Sequence, residues 1–561
     1  MFVVVKRSKT SKRELVYIVE SYRDENQRIR QRIIKKCGEL SELLAEDPQA
    51  MEKLREEARR MSGESTAREV ELSINLGLPN SESSPTVNYG YFFVESLFQS
   101  LHIDRFLDRR ISDAALAKSL AATLRQLVIR EFFGSLASPD PSSVPSFLFA
   151  GADQDRNPVP FLANLQPLVA IESDLQKHVY KMANKGHECT DAVASLDITS
   201  YFFNSTGTGE QGEAQTDESA MSAMILVQMG MLFDRYRNPA ACVLFLDGKA
   251  NDTGTLIKAI DKLKDKYRLE KVVVTSDRGI GSNGELAELY ESGNGYVIGR
   301  RVKNSPIPVQ EKILDEDGYK WNESGTFKFK SFAAERVVGN TVIPEKVISM
   351  WTSRNAAKMK QRRDRSLIDY LSSMGENASE SYADMMRYVS IREASNVPGE
   401  QTSDYGFFSF DAESYARDVA LDGYYALVTT ETEIPEHVVV KRYHNLQKLG
   451  RAFAAPDSDV EGAPRELWSY ADVEGYFLVA FITRVIERKL ERMLGYKYDV
   501  DELKDALSGA LCKNIGQDIF DFSVQTESFK DIEAAFGVEF DRSYATLEMI
   551  RKYRKEVIAA L

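Results

Sequence analysis

The chain has 561 residues, a hydrophobic content of 43% and a net charge of −13 at pH 7. This length allows several folded domains, since domains commonly contain one to two hundred residues. The acidic balance argues against a protein whose whole surface coats nucleic acid, so any such contact must use local basic patches.

The compartment follows from two further features. The four scattered cysteines form no C-x-x-C pair, which indicates a reducing environment. The first residues turn basic after MFVVV, so no secretory signal is predicted. The sequence contains no run of about 18 apolar residues, so no membrane span is predicted. We therefore expect a soluble, cytoplasmic protein that makes no contact with a membrane.

The N-terminal segment is basic and β-rich. Residues 1–36 contain 11 Lys or Arg and four Asp or Glu, an excess of seven positive charges. The runs VVVKRS and VYIVESYRD predict a small hairpin, and EDPQAMEKLREEARRM predicts a helix after it. We interpret residues 1–62 as a basic α+β module that binds DNA, and the polar, Gly- and Pro-broken residues 63–88 as a linker.

A helical subdomain is predicted next, over residues 89–190, because its apolar residues follow helical spacing. From about residue 191 the pattern changes to short apolar β-type runs. SLDITSYFFN contains Asp197, and KVVVTSDRG places Asp277 directly after a strand. The two strands ILVQMGMLFD and AACVLFLDG and the helical stretch TLIKAIDKLKDKY lie between the two aspartates.

Strand-end carboxylates can hold a divalent metal, and this order of elements is typical of an RNase H-like nuclease core. We assign the first part of that core to residues 191–302, which end in the strand GYVIGRRV. The glycines of GIGSNG at 279–284 fit a dinucleotide fingerprint in spacing. They follow the fourth strand of the core, however, and not a leading βαβ unit, so we expect no nucleotide cofactor.

Residues 303–440 mix short strand-like pieces with a basic helical stretch, which favours a β-rich insertion into the core. In that stretch, Arg354, Lys358, Arg362 and Arg365 recur with near i, i+4 spacing along one side of a helix. They are candidates for contacts with the DNA backbone, and a merely solvated helix face is the alternative. Residues 441–561 are predicted to complete the core and to add C-terminal helices. The fold class is therefore α/β, with a helical C-terminal part.

Stretches along nearly the whole chain resemble the DDE transposases of bacterial insertion sequences, in the IS-four-like group with a β-rich insertion. The resemblance is carried in order by VYIVESYRDENQRIRQRIIKKCGEL, LDITSYFF, GKANDTGTL with VVVTSDRG, WTSRNAAKMKQRRDR, DGYYALVTTE and EGYFLVAFITRVIERKLERML. It implies DNA binding and DNA transposition by metal-dependent strand cleavage and recombination. It also implies self-association on double-stranded DNA at the element ends, in the bacterial nucleoid.

The resemblance further implies that three carboxylates hold Mg²⁺ or Mn²⁺, with Asp197 and Asp277 as the first two. The family's third block, Y-x-x-R-x-x-x-E-x-x-x-x-x-x-K, begins here at Tyr443, which is expected to contact phosphate. Gly450 then stands at the Glu position and Asp457 at the Lys position.

Glycine cannot ligate a metal, and Gly450 with the following APDSDVEGAP is expected to weaken the helix that would present the carboxylate. Glu461 is the fallback third acid, and Glu474 a further candidate. We expect weak metal binding and impaired catalysis. The alternative is a non-catalytic, transposase-derived DNA-binding protein or a decayed copy.

Overall fold

The computed structural model describes residues 2–7, 14–23, 29–41, 43, 50–51, 53–54, 58, 85–134, 136, 144–149, 159–187, 193–204, 224–246, 253–276, 282–372, 388–392, 407–452, 468–516 and 518–561. The chain divides into two compact units, residues 1–83 and residues 84–561.

The first unit contains a three-stranded antiparallel sheet in the order β1-β2-β3. Its strands are β1 (Phe2–Arg7), β2 (Glu14–Arg23) and β3 (Ile29–Glu39). The predicted hairpin is therefore present, and the run IRQRIIKKCGE adds a third strand to it. Val16 and Ile18 of β2 are fully buried, whereas the adjoining part of β3 is exposed.

Helices open the second unit, as the apolar spacing predicts. The elements are β4 (Thr86–Asn88), α1 (Tyr91–Gln99), α2 (Ile103–Arg110), α3 (Ala114–Phe133), α4 (Val159–Leu162), a 3-10 helix (Ala163–Ile171) and α5 (Glu172–Ala183). The α3 helix begins where the Asp113 side chain accepts hydrogen bonds from the first backbone N–H groups, at 2.9 and 3.1 Å.

The strands and helices predicted around the two aspartates follow in the expected order. They are β5 (Val193–Asn204), β6 (Met224–Phe233), β7 (Pro239–Leu246), α6 (Thr253–Tyr267), β8 (Lys271–Ser276), α7 (Asn283–Glu291) and β9 (Gly295–Arg300). Strands β5, β6 and β7 are antiparallel neighbours, whereas β5, β8 and β9 run parallel to one another. The crossover from β7 to β8 passes through α6.

The segment expected to form a β-rich insertion joins the same sheet. Its elements are a 3-10 helix (Val302–Asn304), α8 (Ile307–Leu314), β10 (Lys320–Trp321), β11 (Phe327–Val338), β12 (Thr341–Thr352), α9 (Ser353–Ser372), β13 (Val389–Arg392), β14 (Phe407–Phe410), α10 (Ala412–Ala420) and β15 (Tyr424–Thr429). The result is a mixed nine-stranded sheet in the order β10-β11-β12-β15-β9-β8-β5-β6-β7. Strand β15 connects the two halves by pairing with both β12 and β9.

The last part of the chain returns to helices. Its elements are α11 (Glu436–Ala452), α12 (Tyr470–Met493), α13 (Val500–Ser508), β16 (Leu511–Gly516), β17 (Ile519–Phe522), α14 (Glu527–Ala535), β18 (Tyr544–Thr546) and α15 (Leu547–Ala559). Strand β4 from the start of this unit pairs with β16 in a small sheet, so the unit's two ends are joined. Among the described residues, no helix combines the length and apolar composition needed to cross a membrane.

Side chains alternate between the two faces of the large sheet. On one face, Leu196 and Val274 pack with apolar residues of α6 and α7. On the other face, Val273 packs with Val439 of α11, and Met231 belongs to the core around α12. Asp197 pairs with Met231 across the ladder and therefore lies on this second face, which both α11 and α12 cover.

Two local contacts fix the helices that lie next to the large sheet. Gly475 approaches the backbone of α4 so closely that a Cβ atom there would lie 2.5 Å from the Leu162 carbonyl oxygen, so the position requires glycine. The Gln176 side chain of α5 accepts a hydrogen bond from Cys242 N (2.9 Å) and donates one to Cys242 O (3.1 Å). These two hydrogen bonds provide partners for backbone groups of β7, which is an edge strand of the large sheet.

Candidate active site

Asp197 lies on β5, an interior strand of the large sheet, beside the strand that precedes Asp277. In the parallel pairing of β5 with β8, Asp197 lies opposite Thr275 and Ile198 lies opposite Ser276. Asp277 is the next residue after Ser276 and lies outside the described residues. The fold thus brings together the two strands that the sequence analysis singled out.

The Asp197 side chain is fully buried and its two oxygens have different surroundings. Oδ2 lies 2.7 Å from Arg237 Nη2, in a hydrogen-bonded ion pair. Oδ1 is buried with no hydrogen-bond partner, and so is Oγ1 of Thr275 on the neighbouring strand. A buried polar atom without a partner costs about 1–3 kcal/mol, so two of them on paired residues point to a site that takes up a ligand or water.

The turn between β6 and β7 holds Arg237 in place. The Asp234 carboxylate accepts hydrogen bonds from Asn238 N at 2.8 Å and from Asn238 Nδ2 at 2.9 Å, which closes the turn. Arg237 has a backbone φ of +65°, its Nη1 donates to Ser195 Oγ at 3.1 Å, and its guanidinium lies over the Phe233 ring, 3.9 Å from the ring centre. The closed turn, the backbone conformation of Arg237, the hydrogen bond to Ser195 and the contact with Phe233 together orient this guanidinium toward Asp197.

Helix α11, where the third acid was expected, lies against β5, β8 and β9. Tyr443 is only 8% exposed and Leu446 only 2%, so both face the core. Gly450 falls inside this helix, which continues to Ala452 in spite of the glycine. The helix that would present a third carboxylate is thus present and close to β5. The phosphate contact predicted for Tyr443 stays a prediction, limited to the small exposed part of its side chain.

A second arginine also approaches the Asp197 region. Burial lowers the pKa of Arg442 on α11, the positive charge of Arg237 lowers it further, and the charge of Asp197 acts in the opposite direction. Asp197 is therefore within the electrostatic reach of two guanidinium groups.

The fallback acids are placed differently. Glu461 and Asp457 lie outside the described residues. Glu474 lies on α12, where burial raises its pKa. Burial, together with the negative charge of Glu474, raises the pKa of Glu172 to about 7. We find Glu474 beside another carboxylate, and no contact between Glu474 and Asp197 is observed among the described residues.

Two donor atoms beside Asp197 suit a divalent ion. Mg²⁺ prefers oxygen ligands, and Asp197 Oδ1 and Thr275 Oγ1 are oxygens of that type. Arg237 already balances the charge of the carboxylate, however, and no cluster of three His, Cys, Asp or Glu occurs within the described ranges. The metal role of Asp197 and Asp277 therefore stays a prediction.

The basic stretch forms α9, as its spacing predicts. Arg354, Lys358, Arg362 and Arg365 are all exposed on this helix. Arg363, between them in sequence, is turned inward and forms an ion pair with Asp422. In the N-terminal unit, the basic side chains of Arg32, Lys35 and Lys36 are exposed on β3. Both basic regions are accessible, and their contact with DNA remains a prediction.

No pattern in the sequence identifies Arg237, Thr275 or Arg442 as neighbours of Asp197. An arginine in a turn and a threonine in a strand have no sequence signal that points to an aspartate elsewhere in the chain. The pairing of β5 with β8 and the turn after β6 create these contacts, so only the tertiary structure identifies them.

The N-terminal unit has a recognised counterpart. Residues 3–69 match the family model of the IS1634 family transposase, N-terminal domain. This match covers the three-stranded sheet and supports an insertion-sequence transposase. A search of curated proteins finds no match to the chain.

Proposed function

We propose that this chain is a DDE-type transposase by descent, with an RNase H-like core, which binds element-end DNA as a self-associated protein in the nucleoid. Its strand cleavage and transfer are impaired. The match of residues 3–69 supports the transposase class. The position of Asp197 on β5, in parallel pairing with the strand that ends directly before Asp277, carries the more specific proposal.

The order of elements supports the RNase H-like core. An antiparallel strand pair and then a helix separate β5 from β8, and these two strands lie side by side. Parallel neighbours place their carboxyl ends at the same edge of the sheet. A residue at the end of β8 and one in β5 can therefore contribute to one site.

The chain's own residues have separate tasks in this proposal. Asp197 and Asp277 would hold Mg²⁺ or Mn²⁺, and such an ion acts as a Lewis acid toward a DNA phosphate when it is bound. Arg237 holds the Asp197 carboxylate in one orientation and balances its charge. Exposed cations on β3 and α9 attract the DNA backbone and supply affinity that does not depend on sequence.

Two observations support impaired cleavage. Gly450 gives α11 no carboxylate at the position where the third acid is expected, and Asp197 is already paired with Arg237, which a metal ion would have to displace or share. The same observations favour the second candidate, a non-catalytic DNA-binding protein derived from a transposase. Both candidates predict DNA binding, and they differ in whether any cleavage remains.

The test uses the full chain with a supercoiled plasmid that carries the DNA flanking the gene. Gel shifts measure binding, and nicking is measured with Mg²⁺ and with Mn²⁺ for the wild type and for Asp197→Ala. We expect binding with weak nicking that Asp197→Ala abolishes. Binding with no nicking under any condition supports the second candidate. Robust nicking by the wild type, lost in Asp197→Ala, contradicts impairment, and no binding to flanking DNA contradicts both candidates.

A further inference from the structure

Helix α12 holds residues 234–238, which we call the β6–β7 turn. Nη2 of Arg488 on α12 donates a hydrogen bond to the backbone carbonyl oxygen of Tyr236 at 2.6 Å. One helical turn later, Nη1 of Arg492 lies 3.4 Å from Oδ1 of Asn238. Arg488 and Tyr236 are 252 positions apart in the sequence, so only the tertiary structure creates this contact.

The hydrogen bond from Arg488 acts on the backbone of Arg237. The carbonyl group of Tyr236 belongs to the planar peptide group that ends in the nitrogen of Arg237. The φ angle of Arg237 is +65°, a left-handed conformation that is unfavourable for a residue with a side chain. Such a conformation persists where the surrounding structure holds it. Arg488 fixes the peptide plane that precedes Arg237 and thereby helps to maintain this φ angle.

The guanidinium of Arg488 is itself held at the end of α12. It pairs with Glu491 at 3.1 Å and lies over the ring of Tyr496, 4.4 Å from the ring centre. Its Nε is buried and has no hydrogen-bond partner, which is unfavourable for a donor. The placement of Arg488 therefore leaves one of its own donors unsatisfied while it supplies a charged donor to the β6–β7 turn.

We infer that Arg488 is a positioning residue for the Asp197 site. Through the carbonyl group of Tyr236 it holds Arg237 in the conformation that places the Arg237 guanidinium on Asp197. Among the described residues, Arg488 forms no hydrogen bond or ion pair with Asp197, so its effect passes through the turn.

The contact gives the end of α12 control over the Asp197 carboxylate. While Arg488 holds the β6–β7 turn, Arg237 stays on Asp197. When the turn is released, a divalent ion reaches Asp197 more readily. This consequence for metal binding rests on the proposed function, whereas the positioning of Arg237 does not.

The positioning is tested without metal, by chemical denaturation of the full chain. The proteins are the wild type, Arg488→Met, Arg237→Ala and the double variant. Methionine keeps an apolar stem at position 488 and removes the donor and the charge. We expect the double variant to lose less stability than the sum of the two single losses, because the hydrogen bond to Tyr236 secures no ion pair once Arg237 is absent. Arg488→Lys, which keeps a charged donor, should retain most of the wild-type stability.

Lys504→Ala is the matched control. Lys504 on α13 lies 2.6 Å from Glu487 of α12, and its side chain is 31% exposed, compared with 24% for Arg488. In the described part of the chain, Lys504 has no hydrogen bond or ion pair with the β6–β7 turn. This variant also breaks an ion pair of α12, but it does not release the turn. Its loss of stability should therefore add to that of Arg237→Ala.

Calorimetric titration with Mn²⁺ gives a readout that a loss of stability alone does not change. We expect Arg488→Met to raise Mn²⁺ affinity by about fivefold or more, the lower end of typical couplings between sites. In the Arg237→Ala background the same substitution should have no effect, because the guanidinium on Asp197 is already absent. Lys504→Ala should bind Mn²⁺ like the wild type.

The outcomes distinguish this inference from the proposed function. Additive losses of stability for Arg488→Met and Arg237→Ala overturn the positioning role. A gain in Mn²⁺ affinity that persists without Arg237 also overturns it. Non-additive losses, with no Mn²⁺ binding by any variant, support the positioning role and contradict the metal site of the proposed function.

Discussion

Arg237 Nη2 lies 2.7 Å from Oδ2 of the fully buried Asp197, and the two residues are 40 positions apart in the sequence. The ion pair places a fixed positive charge on the carboxylate that is predicted to hold a metal. An Asp197 carboxylate engaged in this way must exchange its arginine partner, or share it, before it can bind a divalent ion.

Replacing Arg237 by Ala should therefore increase Mn²⁺ affinity and lower stability. Removing one partner of a buried pair leaves an uncompensated charge, and because Arg237 is 22% exposed we expect a loss of up to about 3 kcal/mol. Saturating Mn²⁺ should restore part of that loss, because a ligand that binds only the folded state stabilises it. Thermal unfolding with and without MnCl₂, together with calorimetry, measures both effects.

The matched control for this experiment is Arg235→Ala, an exposed arginine in the same turn. It should change neither Mn²⁺ affinity nor stability appreciably. An Arg237→Ala protein with unaltered stability and no gain in Mn²⁺ affinity would show that the ion pair does not compete with a metal.

Supplying the missing third acid is a second test of the predicted metal site. Gly450→Glu places a carboxylate on α11, which lies against β5, and should raise Mg²⁺ or Mn²⁺ binding. We expect nicking to return only when Asp457→Lys is added, since the charge beside the scissile phosphate must also change. Gly450→Gln is the control, because it gives a similar gain in helix propensity, about 0.5–1 kcal/mol, without the charge. Equal metal binding by the Glu and Gln variants would argue against a metal site beside α11.

Binding of DNA by the N-terminal unit should depend steeply on salt. Each phosphate neutralised by a Lys or Arg contributes about −0.9 to the slope of log K against log salt concentration. Arg32→Ala combined with Lys36→Ala removes two exposed cations of β3 and should make the slope of the full chain shallower by up to about 2. Filter binding between low and physiological salt measures it. An unchanged slope would mean that these cations form a solvated face only.

The four cations of α9 are predicted to contact the DNA backbone. Replacing Arg354, Lys358, Arg362 and Arg365 by Ala should weaken binding to all duplex sequences by about the same factor, since backbone contacts carry no sequence information. Gel shifts with specific and unrelated duplexes provide the comparison. Unchanged affinity favours a solvated helix face, and a loss confined to one sequence contradicts backbone contact.

Stability should fall with rising pH because of Glu131 on α3. Burial raises the pKa of this carboxyl from an ordinary 4.5 to about 8, although Leu136 N donates a hydrogen bond to it at 2.7 Å. Between these two values the folded state keeps a proton that the unfolded state has released, so the stability contributed by Glu131 is lost as pH rises toward 8. Glu131→Gln should remove this dependence and stabilise the protein at pH 8 by something on the order of 3 kcal/mol.

Chemical denaturation at pH 5 and pH 8 tests the effect of Glu131. Glu413→Gln serves as the control, because the Glu413 side chain is 88% exposed and should not change the pH dependence. A Glu131→Gln protein with the same pH profile as the wild type would contradict a raised pKa.

The sequence by itself determined the local elements of the core. Apolar β-type runs define β5 and β8, and helical spacing defines α6, α9 and α12, because these patterns depend only on neighbouring residues. The sequence also revealed the glycine at position 450, since the absence of a carboxylate there is visible without a fold. It did not reveal that the helix would continue through Gly450, because packing against β5 and β8 can outweigh a weak local propensity.

The tertiary structure decided which of these elements lie together. Strand β15 pairs with β9 although more than a hundred residues separate them, and no local pattern encodes the partner of a strand. The tertiary structure also placed Arg237 on Asp197, because the direction of the turn after β6 depends on the sheet that the turn connects. The charge balance of the site is therefore a property of the folded chain.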